Sequence, residues 1–304
     1  MSKPKKQYTK KQIESRVKRM RALMKIVAPD AAGPKNPVGE EVFFDTEVGK
    51  VRSLKYGFSK EETLPLVVNI HGSGFTIGSA EMDDDFSDLL TKKLDVKVIS
   101  IDYSLAPESM FPVALNECYA TVKYAKENAS ELGVDPNRII IVGHSAGGNF
   151  CAGIGLMEKE QKQLGLKGIV LDYPPTDIDT DPYDKAQPKG SLPPGMARIF
   201  DAAYRNPEDG KDPLVSPSFA TEDMVKDFPP TLVITAGGDS LAPETERLKD
   251  TLVSAGVDVT FKRFEGMPHG FTLISKRGAK RRPEVLEKAL EAQQMIFDFI
   301  KKYI

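Results

Sequence analysis

The stretch from Arg138 to Ile154 constrains the fold more than any other part of this chain. Arg138-Ile139-Ile140-Ile141-Val142 reads as a buried strand, and Asn149-Phe150-Cys151-Ala152-Gly153-Ile154 has the apolar content of a helix packed on a sheet. Between them, Gly143-His144-Ser145-Ala146-Gly147-Gly148 matches GxSxG, which names Ser145 as a nucleophile at a sharp strand-to-helix turn. The glycines have a steric reason. A tight turn forces the serine into a strained backbone conformation, so its neighbours must be small for strand and helix to approach. Ser145 is then expected above the sheet edge, open to a substrate. A phosphate-cradling loop would carry GxGxxG, and no such pattern accompanies the serine.

The rest of the chain supplies the sheet that this turn requires. Strands are expected near Glu41 to Glu47, Val51 to Tyr56, Leu64 to Ile70, Val96 to Asp102, Lys167 to Leu171, Thr231 to Ala236 and Val257 to Phe264. Helices are expected over Phe111 to Leu132, Pro243 to Ala255 and Pro283 to Tyr303. Apolar strands alternating with helices predict an α/β fold whose sheet is mostly parallel and covered on both faces. Two segments stand outside that alternation. Residues 1–40 hold a helix, with Thr9 and Gln12 at capping-box spacing and Ile13, Val17, Met20, Met24 and Val27 on one stripe, then a Pro- and Gly-rich connection. Residues 173–217 are dense in proline, aspartate and glycine, with one short helix near Met196 to Tyr204. This insertion leaves a strand's carboxyl end, where functional loops gather, so both segments are expected to cap a catalytic body spanning 41–304. The acidic run Glu81 to Asp88 lacks calcium-loop spacing and is expected to be a solvated helix start.

Composition narrows the function. A net charge of -2 over 304 residues argues against electrostatic attraction to nucleic acid or to an anionic membrane. Cys118 and Cys151 both sit in apolar helical context and read as reduced core residues. The basic start lacks the apolar run of a secretion signal, and no segment is apolar for long enough to span a bilayer, so a cytoplasmic address is expected. No metal-ligand cluster is visible, and no cofactor is expected.

A serine hydroxyl needs a base within hydrogen-bond reach, and the base needs an orienting acid. The chain has three histidines. His144 adjoins Ser145 and should point to the opposite face of the strand. His71 belongs to the glycine-rich loop His71-Gly72-Ser73-Gly74-Phe75. His269 follows the strand ending near Phe264 and is the expected base. Asp239, directly after the strand Thr231 to Ala236, is the expected acid; a plain helix N-cap is its competing role, and Glu244 and Asp172 are the substitutes. Negative charge on the attacked carbonyl oxygen calls for backbone donors, expected from Ala146 and from the loop at His71 to Phe75.

Five ordered motifs give the chain a resemblance. HGSGF at 71–75 resembles HGGGF, GHSAGGN at 143–149 resembles GDSAGGN, and Asp102 to Glu108 resembles DYRLAPE. Gly238-Asp239-Ser240-Leu241 and His269-Gly270-Phe271 resemble an acid and a histidine motif. Together they are similar to those of the hormone-sensitive-lipase-like family of α/β-hydrolases, in its bacterial carboxylesterase branch. The resemblance implies an α/β-hydrolase fold and a triad of Ser145, Asp239 and His269. It also implies oxyanion N–H groups from Ser73, Gly74 and Ala146, a cap from the N-terminus and the insertion after Tyr173, and a homodimer. Ser73 replaces a glycine and His144 an aspartate. The expected activity is hydrolysis of short-chain acyl or small aromatic esters, with Phe75, Tyr173, Met196, Phe200, Tyr204, Leu241, Met267 and Phe271 as pocket walls. An arylformamidase or small amidase would use the same machinery, and a small-molecule receptor would have lost it.

Overall fold

A computed structural model describes residues 8–27, 33–273, 278, 280 and 282–304. Its strands are β1 (Glu40–Thr46), β2 (Gly49–Tyr56), β3 (Leu64–Ile70), β4 (Lys97–Asp102), β5 (Val134–His144), β6 (Gly168–Asp172), β7 (Thr231–Ala236) and β8 (Val259–Phe264). They form one sheet in the order β1-β2-β4-β3-β5-β6-β7-β8, antiparallel where β2 meets β1 and β4 and parallel elsewhere. The described helices are α1 (Lys10–Val27), α2 (Asp84–Lys93), α3 (Val113–Glu127), α4 (Ala129–Leu132), α5 (Ala146–Gln161), α6 (Pro194–Tyr204), α7 (Glu222–Val225), α8 (Ala242–Ser254) and α9 (Pro283–Tyr303).

Strand periodicity explains why both faces are covered. Successive side chains point to opposite faces, so Ile139 and Ile141 enter one core with α3, α5 and α8, while Ile140 and Val142 enter the other with α2 and α9. All four are fully buried, and each such side chain contributes about 1.5–3 kcal/mol relative to exposure. A strand apolar on both faces can only sit in the middle of a sheet, which puts the carboxyl end of β5 near the centre of the sheet's carboxyl edge.

Three expectations need adjustment. The single helix over Phe111 to Leu132 is two, α3 and α4, because Asn128 leaves helical geometry and its side-chain amide donates to Tyr124 O at 2.9 Å. The acidic run after Ala80 is not a solvated face. Asp83 and Asp84 are buried; Asp84 accepts from the N–H groups of Val38 and Gly39 and from Tyr56 Oη, and Asp83 accepts from Asn69 Nδ2. Glu81 pairs with Arg52 at 2.5 Å, so these carboxylates tie the chain before β1 to the sheet. The strand expected near Arg138 begins earlier, at Val134.

Helix α1 has the reciprocal cap its sequence promised, with Thr9 N donating to Gln12 Oε1 at 2.9 Å and Gln12 N to Thr9 Oγ1 at 3.3 Å. Val17 on its apolar stripe is buried, and the helix packs against α6. The Val27 side chain, and residues 28–32 of the connection that follows, lie outside the described residues. Arg21 anchors the helix, donating to Thr76 O at 2.8 Å and Ala106 O at 2.9 Å and gripping Glu108 with both Nη atoms. Cys118 and Cys151 are buried and unpaired. Among the described residues, no helix is long and apolar enough to cross a membrane.

Candidate active site

β5 ends at His144 and α5 begins at Ala146, leaving Ser145 alone at the turn with φ 51° and ψ −117°. The neighbours have no room for side chains. A Cβ on Gly143 would fall 2.2 Å from Gly147 O, and one on Gly147 would fall 1.9 Å from Ile70 O. Ser145 N donates to Asp172 O at 2.9 Å, and Ser145 O accepts from Asn149 N at 3.1 Å, so the strained residue is held on both sides.

Ser145 Oγ lies 2.9 Å from His269 Nε2, and His269 Nδ1 lies 2.6 Å from Asp239 Oδ2. The three side chains come from the loops after β5, β7 and β8, adjacent carboxyl ends at one edge of the sheet. The carboxylate is nearly inaccessible, at 1% of its side-chain area, and holds the imidazole proton on Nδ1. Nε2 is then left as an acceptor facing the serine hydroxyl. Asp239 is not the cap of α8: that helix is preceded by Leu241 and has no side-chain cap, so the Asp239 carboxylate is committed to histidine. The substitute acids are elsewhere. Glu244 pairs with Lys185 at 2.6 Å and accepts from the N–H groups of Thr176 and Asp177, and Asp172 faces His144.

The loop after β3 crosses the elbow closely, a Cβ on Gly72 falling 3.2 Å from Ser145 Cβ. Ser73, Gly74 and Phe75 have φ of 95°, 58° and 63°, a run of left-handed residues of which only Gly74 is a glycine. Ser73 therefore bears the steric penalty that its Cβ implies, and its Oγ packs 3.0 Å from Met82 Sδ. The N–H groups of Ser73 and Gly74 have no acceptor among the described residues, and that of Ala146 belongs to the orphan donors of a helix N-terminus. Tyr103 Oη donates to His71 O and Gly72 O at 3.0 Å, and Arg21 holds Thr76 O, so the loop is fixed from both ends. Burial pushes His71 below the ordinary histidine value, which keeps that ring neutral against Tyr103.

Two supports escape sequence reasoning. The first is a buried hub at Asp172. Its Oδ2 lies 2.7 Å from His144 Nδ1 and its Oδ1 accepts from Thr272 Oγ1 at 3.1 Å; Thr272 O in turn accepts from Gln293 Nε2 of α9 at 2.7 Å. Because Thr272 is in the short helical turn after His269, one carboxylate links the elbow to the histidine loop. Burial raises the Asp172 carboxyl above its usual range; burial lowers His144, and its bond to Asp172 together with the charges of Asp83 and Asp172 reverses this to a net rise. The second support is Gly190-Ser191 in the insertion. Gly190 O accepts from His269 N at 2.9 Å, and Ser191 Oγ accepts from Ser240 N at 2.9 Å. The spacing of His144 and Asp172 on neighbouring strands could have suggested the first; a lone glycine among prolines carried no signal for the second.

Ser145 opens on two cavities. One, of about 670 Å³, is lined by Tyr173, Phe86, Met82, Leu273 and the acids Glu81, Asp83 and Asp85. The other is narrow, about 40 Å³, and lies under α6 between Gly74, Phe75, Phe200 and Leu241. Of the expected walls, Tyr173 lines the first and Phe75, Phe200 and Leu241 the second. Met196, Tyr204, Met267 and Phe271 line neither. Tyr204 stacks on Phe75 at 3.9 Å in the core, Phe271 packs on Phe264, Met267 lies against the same cluster, and Met196 is half-buried on the first turn of α6.

Known proteins resemble this chain in sequence and fold. The chain is 31% identical over 245 residues to an arylesterase of Saccharolobus solfataricus, covering 79% of each protein. It is 30% identical over 241 residues to the carboxylesterase NlhH of Mycobacterium tuberculosis, covering 76% of each. The structure of a hyperthermophilic esterase from Pyrobaculum calidifontis superposes with a TM-score of 0.78 at 30% identity, over 95% of this chain and 93% of that one. Residues 67–273 match the family model described as the alpha/beta hydrolase fold, and the chain belongs to that family, in its hormone-sensitive-lipase-like branch.

Proposed function

We propose that this protein is a cofactor-independent serine carboxylesterase acting on small esters. The observation that carries the reading is the unbroken chain of contacts from Ser145 Oγ through His269 to Asp239. In this reading Ser145 attacks the ester carbonyl while His269 Nε2 takes the hydroxyl proton and passes it to the leaving alcohol. Asp239 stabilises the imidazolium that forms between those steps. The N–H groups of Ser73, Gly74 and Ala146 receive the developing oxyanion. Water, deprotonated by the same imidazole, then cleaves the acyl-enzyme. The esterase names of the relatives support the substrate class. The narrow cavity under α6 supports a preference for a small group on that side of the carbonyl. Helix α1 and the insertion at 173–217 act as the cap, a reading supported by the packing of α1 on α6 and by the Gly190 bond to His269. Among the described residues β8 is an edge strand of the sheet, which supports the pairing of two copies.

The test is hydrolysis of p-nitrophenyl esters from acetate to laurate by the wild type and Ser145→Ala. Activity should peak at short chains and fall by about 10⁴-fold or more in the variant. Equal rates in both proteins, or faster turnover of a long-chain triglyceride emulsion, would contradict the proposal.

A further inference from the structure

Asp201 is a carboxyl that the proposed chemistry does not use. It lies on α6 one residue beyond Phe200, whose ring is so close to Gly74 that a Cβ there would fall 2.3 Å from it. Asp201 lines the narrow cavity that reaches Ser145, and also a second cavity of about 430 Å³ between α1, α6 and the insertion. Ile178 and Pro182 are the other residues common to both, so the carboxyl stands where the two spaces meet.

The cations around it are already engaged. Lys185 holds Glu244 and Asp177 O, each at 2.6 Å; Arg198 holds Asp181 at 2.6 Å; Arg205 donates to Ile178 O at 2.7 Å. The Asp201 backbone carbonyl accepts from Arg205 N at 3.3 Å, while its half-buried carboxylate makes no hydrogen bond or ion pair among the described residues. Burial pushes its carboxyl up to about 7, Lys185 opposing and Glu244 adding to the rise. Half-buried where the two cavities meet, the carboxylate stays reachable from them, and a ligand donor can take the place of water there. The cavity of about 430 Å³ leaves space beside the carboxylate for a donor, and the one of about 40 Å³ admits only a slim arm from the Ser145 side.

We propose that Asp201 is a specificity-determining residue, accepting a hydrogen bond from an amine or hydroxyl at the far end of the substrate arm that enters between Phe200 and Leu241. The preferred substrates are then esters carrying a hydrogen-bond donor on that arm. This rests on the esterase reading above. The two donors differ in one respect: an ammonium gains from the ionised carboxylate and so gains as pH rises through 7, whereas a hydroxyl can donate to either protonation state.

The experiment compares kcat/KM for the wild type, Asp201→Asn and Asp201→Leu on matched esters. Acyl-side probes are the p-nitrophenyl esters of 3-aminopropanoate and 6-aminohexanoate, their hydroxy counterparts, and the methyl-ended butanoate and heptanoate. Alcohol-side probes are the butyrates of tyramine, 4-(2-hydroxyethyl)phenol and 4-propylphenol. The wild type should favour donor-ended over methyl-ended partners by about tenfold in one of the two sets. Asp201→Leu should erase that ratio, which is the readout whatever the change in absolute rate on the methyl-ended esters. Asp201→Asn, nearly isosteric, should remove the pH step of the amine and retain part of the hydroxyl preference, and it keeps the test open if the leucine variant does not fold. The same ratio in wild type and variants in both sets, with methyl-ended esters still hydrolysed, would overturn the proposal alone. No Ser145-dependent hydrolysis of any ester would overturn the esterase reading, and this inference with it.

Discussion

Replacing Gly190 with alanine should damage catalysis from a position about which composition says nothing. The added Cβ would fall 2.6 Å from Pro268 Cα and 2.7 Å from Gly238 O, with Pro268 Cβ at 3.0 Å. Comfortable carbon contacts begin near about 3.5 Å, so backbone on both sides must retreat by roughly 1 Å. One of those backbones carries His269 and the other Asp239, and Gly190 O also accepts the His269 N–H. Overpacking of this kind destabilises by about 1–3 kcal/mol, and a 1 Å displacement of a reacting group lowers the rate by about 10²-fold. The assay is steady-state hydrolysis of p-nitrophenyl butyrate together with thermal unfolding. The expected result is a fall in kcat and kcat/KM by similar factors, KM little changed, since an interaction of the transition state is being lost. Gly195→Ala in the same insertion is the control, because its Cβ would meet only the hydroxyl of the exposed Tyr183, at 3.1 Å. If Gly190→Ala kept kcat within twofold of wild type and the same Tm, the insertion would not brace the triad.

His144→Asp restores the residue usual at that position in the family resemblance, yet here it should destabilise. It would set a second carboxylate against Asp172, whose side chain has no exposed area, at a penalty of about 3 kcal/mol or more, readable by urea unfolding. Unchanged stability would mean that the hub relaxes. Ser73→Gly relieves a φ of 95° and should stabilise by up to about 1 kcal/mol, while kcat stays within about threefold because the backbone donor remains. Burial raises Glu81, but hydrogen bonds from Arg52, Ser79 and the backbone, with the Arg52 charge, together hold it down at about 2, below its ordinary 4.5, so its contribution to stability is complete above pH 4.5 and lost as pH falls toward 2. Glu81→Gln should therefore lower stability at pH 7 by about 1–2 kcal/mol after allowance for solvent screening, and the gap to wild type should close between pH 4.5 and 2.

The parts of this molecule that could be read from sequence are those governed by short-range rules. Short β-branched apolar runs placed β3 and β7 at their observed bounds, and a serine among glycines required the strained turn found at Ser145. Asp239 and His269 follow strands, and the parallel order of β5 to β8 brings those strand ends together. Contacts between distant segments had no local signature. Asp83 and Asp84 sit in a run that looks solvated, and they are buried because Asn69, Tyr56 and the backbone at Val38 and Gly39 come to meet them. Tyr204 and Phe271 look like pocket walls by type, and packing on Phe75 and Phe264 removes them to the core. His144 was assigned the face away from the serine hydroxyl by strand alternation alone; that Asp172 would be there to receive it depended on the register of β5 with β6.

The central claim is that Ser145 is the residue that becomes acylated, and a fluorophosphonate tests it most directly. Intact mass after incubation should show one adduct, peptide mapping should place it on Ser145, and its appearance should parallel loss of ester hydrolysis; Ser145→Ala should remain unlabelled and inactive. Hydrolysis that persists in fully labelled protein, or an adduct on any other residue that abolishes activity, would contradict the account.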